Sequence, residues 1–235
     1  MIGMVAGGHV LPSIVTIPAL HNRLLPRLSG RSTAEHVALT FDDGPDPGST
    51  PAFLDELAAL GVRATFFLLG SQLSAHPDLG PRIVDGGHEI AVHGWTHRPH
   101  LLRTPWDVAT DLQRAFECVR DVTGATPHFW RPPNGIVTGA GLRAARQLQL
   151  TPVLWTADGR DWARAATAES VAARVLARLA AGGTVLLHDS DVKSAPRSWR
   201  SALGSLRAVV AYCAEQGWAV GPLREHWRAS ADLRG

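Results

Sequence analysis

Two adjacent aspartates close a hydrophobic stretch in the first fifth of the chain. The sequence VALTFDDGPDP, residues 37–47, has the pattern of a buried strand that ends in Asp42 and Asp43. Each carboxylate raises the free-energy cost of ionising its neighbour, and burial raises that cost further. A bound cation would offset the repulsion. The pair therefore indicates either a metal site or a salt-bridged surface turn, and we expect Asp46 to belong to the turn.

A pair of histidines supplies the ligands that would favour the metal. In HGWTH, His93 and His97 are four residues apart, which on a helical turn places both rings on one face. The chain has 11 histidines, so this spacing alone is weak evidence. Two imidazoles and a carboxylate, with positions left open, are typical of a catalytic zinc site. The histidines and the strand-end acids together therefore predict a metal centre.

The elements that must position these groups alternate along the chain. Apolar runs predict strands at residues 36–41, 64–70, 88–94, 127–133, 151–156 and 184–189. Helical patterns with start and stop residues lie at 50–60, 77–86, 104–124, 139–150, 168–181 and 198–216. Six or seven strand–helix units in series predict an α/β fold with a parallel sheet that forms a closed or nearly closed barrel.

Reactive side chains follow five of the predicted strands. They are the Asp42–Asp43 pair, the His93–His97 pair, Arg131, Asp158 with Asp161, and His188. In barrels of parallel strands, the loops after the strands carry the active site. We therefore expect all five groups to meet on one rim.

The motifs around these residues resemble a known family. TFDDG, HGWTH, RPPNG, DGRDW and LLHD occur in this order and resemble the five motifs of polysaccharide deacetylases, the NodB-homology domain of carbohydrate esterase family 4. The resemblance spans roughly residues 36–220. It implies a distorted (β/α) barrel of about seven parallel strands and a catalytic domain at residues 34–235.

The resemblance also implies roles for the first three motifs. Asp42 would be the catalytic base, and Asp43, His93 and His97 would bind the metal, which is usually Zn²⁺, with Co²⁺ or Ni²⁺ as alternatives. Arg131 would pair with Asp42 and hold it ionised, a task that suits a bidentate guanidinium.

The remaining motifs would complete the site. His188 would be the general acid, and Asp158 would hold and tune it. The main-chain N–H of Asn134 would stabilise the oxyanion, although the family usually has an aromatic residue there. Trp162 and Leu186 would form the wall of the groove and contact the acetyl methyl group.

The activity implied by the resemblance is hydrolysis of N-acetyl groups on an amino-sugar glycan of peptidoglycan or chitin type. Two alternatives remain within enzymes: an esterase acting on O-acetyl groups of a xylan-type glycan, and an amidohydrolase acting on a small non-sugar amide. A non-catalytic glycan-binding protein would be expected to lack a base, a ligand or an acid, and all of these are present.

Composition limits the remaining possibilities. The 235 residues, 45% hydrophobic and 19% charged, predict a soluble globular protein, and a net charge of +2 argues against a nucleic-acid partner. We expect a monomer. The uncharged first 20 residues predict either a signal or membrane anchor, or an apolar extension packed on the domain. We assign residues 1–33 to this segment, treat it as the one possible membrane contact, and expect an extracytoplasmic location.

Several other residues invite a functional interpretation. His100 could be a further metal ligand, and Trp95, Trp130 and Trp155 could stack on sugar rings, although each of these tryptophans is more often part of a core. Cys118 and Cys213 are either free thiols or one disulfide.

Overall fold

The computed structural model describes residues 27–226, in which strands and helices alternate. The strands are β1 (His36–Asp42), β2 (Thr65–Leu69), β3 (Glu89–Gly94), β4 (Phe129–Trp130), β5 (Thr151–Pro152), β6 (Ala157–Asp158), β7 (Thr184–His188) and β8 (Ala219–Gly221). The α-helices are α1 (Thr50–Leu60), α2 (Gly70–Ala75), α3 (Leu79–Asp85), α4 (Pro105–Thr123), α5 (Gly139–Gln147), α6 (Ala168–Leu176) and α7 (Trp199–Glu215). Short 3₁₀ helices cover His100–Leu102 and Pro133–Gly135.

The sheet is parallel throughout and curls into a half-barrel. Seven strands follow the order β5-β4-β3-β2-β1-β7-β6. This confirms the predicted α/β class and strand number. Within the described residues the edge strands β5 and β6 do not pair, so the barrel is less closed than predicted. Strands β4, β5 and β6 have only two residues each, too few to continue a long ladder around the ring.

A short eighth strand was not predicted. Strand β8 pairs with the first half of β1, and Ala38 lies opposite both Gly221 of β8 and Thr184 of β7. Because β2 pairs only with the second half of β1, β8 occupies the space beside β1 that β2 leaves open. The last described residues are therefore fixed to the central strand.

The centre of the sheet is apolar because helices cover its faces. Every residue of β1, β2 and β3 is buried. The Phe41 ring lies 5.0 Å from Phe53 of α1 and 5.1 Å from Phe66 of β2, measured between centroids. Strands buried on both faces read as nearly continuous apolar runs, which is why the first three were easy to find.

Helix ends follow the residues that stop or start a helix. Gly61 and Gly124 end α1 and α4 with φ of 65° and 68°, a left-handed conformation that glycine adopts without strain. The Thr104 hydroxyl accepts a hydrogen bond from the Asp107 N–H at 3.2 Å and caps α4, as predicted. Helix α1 covers the predicted residues, and Ser49 rather than Thr50 is at its N-cap position.

The first described residues lie against the sheet. The Leu28 carbonyl accepts a hydrogen bond from the Leu154 N–H at 2.6 Å, and the Ser32 N–H donates to the Gly182 carbonyl at 2.9 Å. The predicted anchor or extension lies mostly in residues 1–26, outside the described range. No helix between residues 27 and 226 has the length and apolar character needed to span a membrane. Both cysteines are free thiols.

Candidate active site

A cavity of about 400 Å³ opens at the carboxyl ends of the strands. Nine of the predicted site residues line it: Asp42, Asp43, His93, His97, Asn134, Asp158, Trp162, Leu186 and His188. Arg131 lies behind this surface and is completely buried. Residues at the carboxyl ends of five strands therefore meet on one rim, as their positions after the predicted strands indicated.

Three side chains converge as a metal site would require. One ligand atom from each of Asp43, His93 and His97 lies within 4.8 Å of the others. The Nε2 atoms of His93 and His97 are each 3.6 Å from Oδ1 of Asp43. Ligands about 2.1 Å from a tetrahedral zinc are about 3.4 Å apart, so these separations suit a single ion.

Burial sets the protonation of these three residues. It raises the pKa of the Asp43 carboxyl to about 7, although the charge of His188 opposes the shift. Burial also lowers the pKa of His93 and of His97 to about 3, so both rings stay neutral at physiological pH. Asp43 Oδ1 is buried and has no hydrogen-bond partner. Neutral imidazoles and an unpartnered carboxylate oxygen fit a divalent metal, which would favour the ionised form of Asp43.

A main-chain contact fixes the orientation of His93. Its Nδ1 donates a hydrogen bond to the Arg131 carbonyl at 2.8 Å. The proton therefore resides on Nδ1 and the lone pair of Nε2 faces Asp43. Such a contact behind a ligating histidine selects the tautomer that can bind a metal.

Asp42 is held by a buried arginine. Arg131 Nη1 donates to Asp42 Oδ1 at 2.6 Å and to Thr40 Oγ1 at 2.9 Å. Its Nη2 donates to the Leu154 carbonyl at 2.9 Å, and the guanidinium lies 4.0 Å above the Phe67 ring. The second carboxylate oxygen of Asp42 remains directed toward His93, whose Nε2 is 3.6 Å away.

The carboxylate that holds His188 is Asp161, and the assignment of this role to Asp158 was wrong. Asp161 Oδ1 accepts from His188 Nδ1 at 2.9 Å, and its Oδ2 accepts from the His188 N–H at 2.7 Å. Asp158 Oδ1 instead accepts from the Arg160 N–H at 2.7 Å. The turn after β6 sends the buried Asp161 toward β7 and leaves Asp158 on the cavity wall.

The charge of Asp161 decides the state of His188. Burial alone would lower the pKa of this imidazole, but the nearby Asp161 carboxylate and its hydrogen bond raise it to about 10. His188 is therefore protonated at neutral pH. With Nδ1 bound to Asp161, the proton on Nε2 is the one available to a molecule in the cavity.

Three of the site residues have backbone conformations that side chains rarely adopt. Asp43, His97 and Asn134 have φ of 76°, 57° and 57°. Non-glycine residues in this region cost about 1–3 kcal/mol and are concentrated at functional sites. Asn134 lies in the 3₁₀ helix Pro133–Gly135, which forms part of the cavity wall.

Other candidates occupy different environments. His100 and Trp130 are completely buried and stack on each other with centroids 5.8 Å apart, so both belong to the core. Trp155 lines the cavity that holds the candidate site residues. Lys193 also lines this cavity, which the sequence did not predict. Lys193 follows β7 on a loop without a motif, and nothing in its neighbours indicated its position.

The chain is similar to known proteins in both sequence and fold. The family model described as polysaccharide deacetylase matches residues 29–153. A chitooligosaccharide deacetylase of Bradyrhizobium sp. is 36% identical over 200 residues, which cover 82% of this chain and 90% of that protein. The peptidoglycan-N-acetylglucosamine deacetylase PgdA of Listeria monocytogenes is 35% identical over 165 residues, which cover 70% of this chain but only 34% of that protein.

A solved structure gives the same result. The crystal structure of a peptidoglycan N-acetylglucosamine deacetylase superposes with a TM-score of 0.78 and 28% identity, covering 85% of this chain and 91% of the other. The two chains therefore share the half-barrel fold. Sequence motifs, family model and fold agree, and the chain belongs to the polysaccharide deacetylase family of carbohydrate esterase family 4.

Proposed function

We propose that this protein is a zinc-dependent deacetylase that removes N-acetyl groups from amino-sugar units of a peptidoglycan- or chitin-type glycan. One observation carries the proposal: the Asp43, His93 and His97 ligand set faces the same cavity as Asp42 and His188. Relatives whose names specify peptidoglycan and chitooligosaccharide deacetylation support the substrate class.

Asp42 is the base in this proposal. When bound by Asp43, His93 and His97, a divalent cation supplies Lewis-acid chemistry, which polarises an amide carbonyl and makes a water more acidic. Asp42 Oδ1 is engaged by Arg131, so Oδ2 is the oxygen that accepts the proton from the attacking water. The water oxygen forms the new bond to the acetyl carbon.

His188 completes the reaction. Its Nε2 proton passes to the amide nitrogen as the carbon–nitrogen bond breaks, so that acetate and a free amine are the products. Asp161 stabilises the imidazolium before this transfer and fixes the ring through Nδ1. The Asn134 N–H is proposed to donate to the oxygen that becomes negatively charged in the transition state.

Two side chains are proposed to contact the acetyl methyl group. Leu186 is almost fully buried in the cavity wall, whereas Trp162 is 47% exposed at the edge. A buried aliphatic wall favours a small apolar group, and an exposed indole can cover a sugar ring. Because several relatives are named for peptidoglycan, which is a cell-wall polymer, we also propose that the protein acts outside the cytoplasm.

Acetate release tests the substrate. The purified protein, loaded with Zn²⁺, would be incubated with chitin oligosaccharides, peptidoglycan, acetyl xylan and a small aryl acetamide. Release from chitin oligosaccharides or peptidoglycan, well above release from the other two, is expected. Preference for acetyl xylan would support the esterase alternative, and preference for the aryl acetamide would support the amidohydrolase.

The base assignment has its own test. Asp42→Asn should lower kcat by about 100- to 10,000-fold, the usual range for loss of a general base, while bound zinc stays at the wild-type level. Asp46→Asn is a matched control because Asp46 lies on the same loop and accepts from the Gly48 N–H outside the cavity. Full activity in Asp42→Asn would disprove the role of Asp42.

A further inference from the structure

We propose that a groove beside the catalytic cavity binds a second sugar unit of the glycan, at a distance from the unit that loses its acetyl group. We call it the Trp106 groove; its volume is about 350 Å³ and it is lined by Trp95, Thr96, Arg98, Arg103, Trp106 and Thr110, among others. The proposal rests on the proposed glycan substrate and specifies how more than one sugar unit is bound.

The groove and the catalytic cavity share one loop. His93 and His97 face the cavity, whereas Trp95, Thr96 and Arg98 face the groove. Adjacent residues are about 3.8 Å apart along the backbone, so the two concavities are separated by the thickness of a single chain segment. A polymer bound at the metal ligands needs to cross only this segment to reach the groove.

Trp106 provides the surface for stacking. It lies near the start of α4 and is 78% exposed, which is unusual for so large an apolar side chain. Trp95 cannot play the same part because the Arg114 guanidinium lies 3.6 Å above its ring. An open indole face packs against the apolar face of a sugar ring, and its N–H stays available to hydroxyl groups.

The floor of the groove is rigid. Arg103 Nη1 donates to Asp111 Oδ1 at 2.6 Å, and Asp111 Oδ2 accepts from the Trp95 N–H at 2.7 Å. Arg103 Nη2 also donates to the Asp107 carbonyl at 3.1 Å. These contacts hold the shared loop against α4, so the groove exists before a ligand arrives and little conformational entropy is lost on binding.

Arg98 provides the polar contact. It is exposed and, within residues 27–226, has no carboxylate within ion-pair distance. Its planar guanidinium can donate to sugar hydroxyls or to a carboxylate substituent. The groove is lined by three arginines, at positions 98, 103 and 114, and by two aspartates, Asp107 and Asp111, so its net charge is positive. A positive groove suits a glycan that carries carboxylates.

A different occupant would leave a different signature. Leu102 is 86% exposed on the neighbouring 3₁₀ helix but does not line the groove. An apolar partner protein or a membrane would contact Leu102 as well as Trp106. A sugar in the groove would contact Trp106 but not Leu102, so Leu102→Ala is the matched control.

The activity test compares a short and a long substrate. Acetate release from the dimer and the hexamer of N-acetylglucosamine would be measured for the wild type, Trp106→Ala, Trp106→Phe and Leu102→Ala. We expect Trp106→Ala to lower kcat/KM on the hexamer about tenfold and to leave the dimer unchanged. Trp106→Phe should recover most of the loss, and Leu102→Ala should match the wild type. Equal losses on both substrates, no loss on the hexamer, or an equal loss in Leu102→Ala would overturn the proposal.

A binding test separates this proposal from the proposed activity. Calorimetric titration of the hexamer into Asp42→Asn and into Asp42→Asn/Trp106→Ala requires no turnover. About tenfold weaker binding by the double variant is expected, and equal binding would reject the groove. If neither the dimer nor the hexamer releases acetate with the wild type while the hexamer still binds through Trp106, the proposed activity fails and the groove stands.

Discussion

Two histidine pairs lie at opposite ends of the sheet, and of the four rings only that of His97 is partly exposed. His93 lies near the carboxyl end of β3 and His97 follows that strand, with ring centroids 4.9 Å apart. His36 begins β1 and packs against His226 near the end of the described chain, with centroids 4.8 Å apart. Burial lowers the pKa of all four rings. By ring separation and by the direction of the pKa shift alone, the two pairs are alike.

The direction of their nitrogen atoms distinguishes them. His36 and His226 share a hydrogen bond between their Nδ1 atoms at 2.9 Å, and His226 Nε2 donates to the Gly183 carbonyl at 3.0 Å. His93 and His97 instead direct Nε2 toward one unpartnered oxygen of Asp43. Histidine proximity therefore does not define a metal site; convergence of free lone pairs on one point does.

Removing one ligand tests this distinction most strongly. Asp43→Asn should lower zinc affinity at least about 100-fold and acetate release about 1,000-fold, because the charge that balances the cation is lost. Zinc content by mass spectrometry and acetate release are the measurements. Glu225→Gln, which alters the carboxylate 3.3 Å from His36, should leave both unchanged. Loss of zinc in Glu225→Gln would indicate that the metal binds near His36 and would contradict a site at Asp43, His93 and His97.

The carboxylate behind His188 gives the next largest effect. Asp161→Asn should lower kcat about 100-fold and move the alkaline limb of the kcat/KM profile to lower pH, since the charge that raises the pKa of His188 is gone. Asp158→Asn keeps that charge and should leave the alkaline limb in place. A pH profile for each variant measures this. A shift in Asp158→Asn and none in Asp161→Asn would restore the assignment made from the sequence.

Substitutions in the His36–His226 pair should change the free energy of unfolding rather than the activity. Burial, with the charge of His36, lowers the pKa of His226 to about 3, below the 6.5 expected when unfolded. The unfolded state therefore binds the extra proton first, and stability is lost as the pH falls from about 6.5 to 3. The stability advantage of the wild type over His226→Gln should shrink by about 2.5 kcal/mol between pH 7 and pH 4.5. Denaturant unfolding at both values measures it, and a constant difference would contradict it.

Much of the site could be predicted because its residues follow strand ends. Asp42, Asp43, His93 and His97 sit beside long apolar runs, so their position on the rim follows from the parallel sheet. Asp161 could not be distinguished from Asp158, since Asp158 ends β6, Asp161 lies three residues later, and only the path of the turn decides which one reaches β7. Lys193 reaches the cavity through tertiary packing, which leaves no local pattern, and Trp155 was a candidate that the sequence could not separate from the core residue Trp130.

The fold was predicted least well where its elements are short. The three central strands have five to seven residues and are clear in the sequence. Strand β8 has three residues, and its pairing with β1 depends on a contact far along the chain. Helix α6 ends at Leu176, although the helical pattern continues to residue 181. Tertiary packing sets such boundaries, and intrinsic helix propensity contributes to them only weakly.

Arg131 contacts both Asp42, the proposed base, and His93, a proposed metal ligand. Its guanidinium holds Asp42, its carbonyl orients His93, and its N–H donates to the Val92 carbonyl next to that histidine. A single buried residue thus sets the distance between Asp42, the proposed base, and His93, a proposed metal ligand. Because both contacts come from Arg131, a displacement of this one residue would move Asp42 and the imidazole of His93 together.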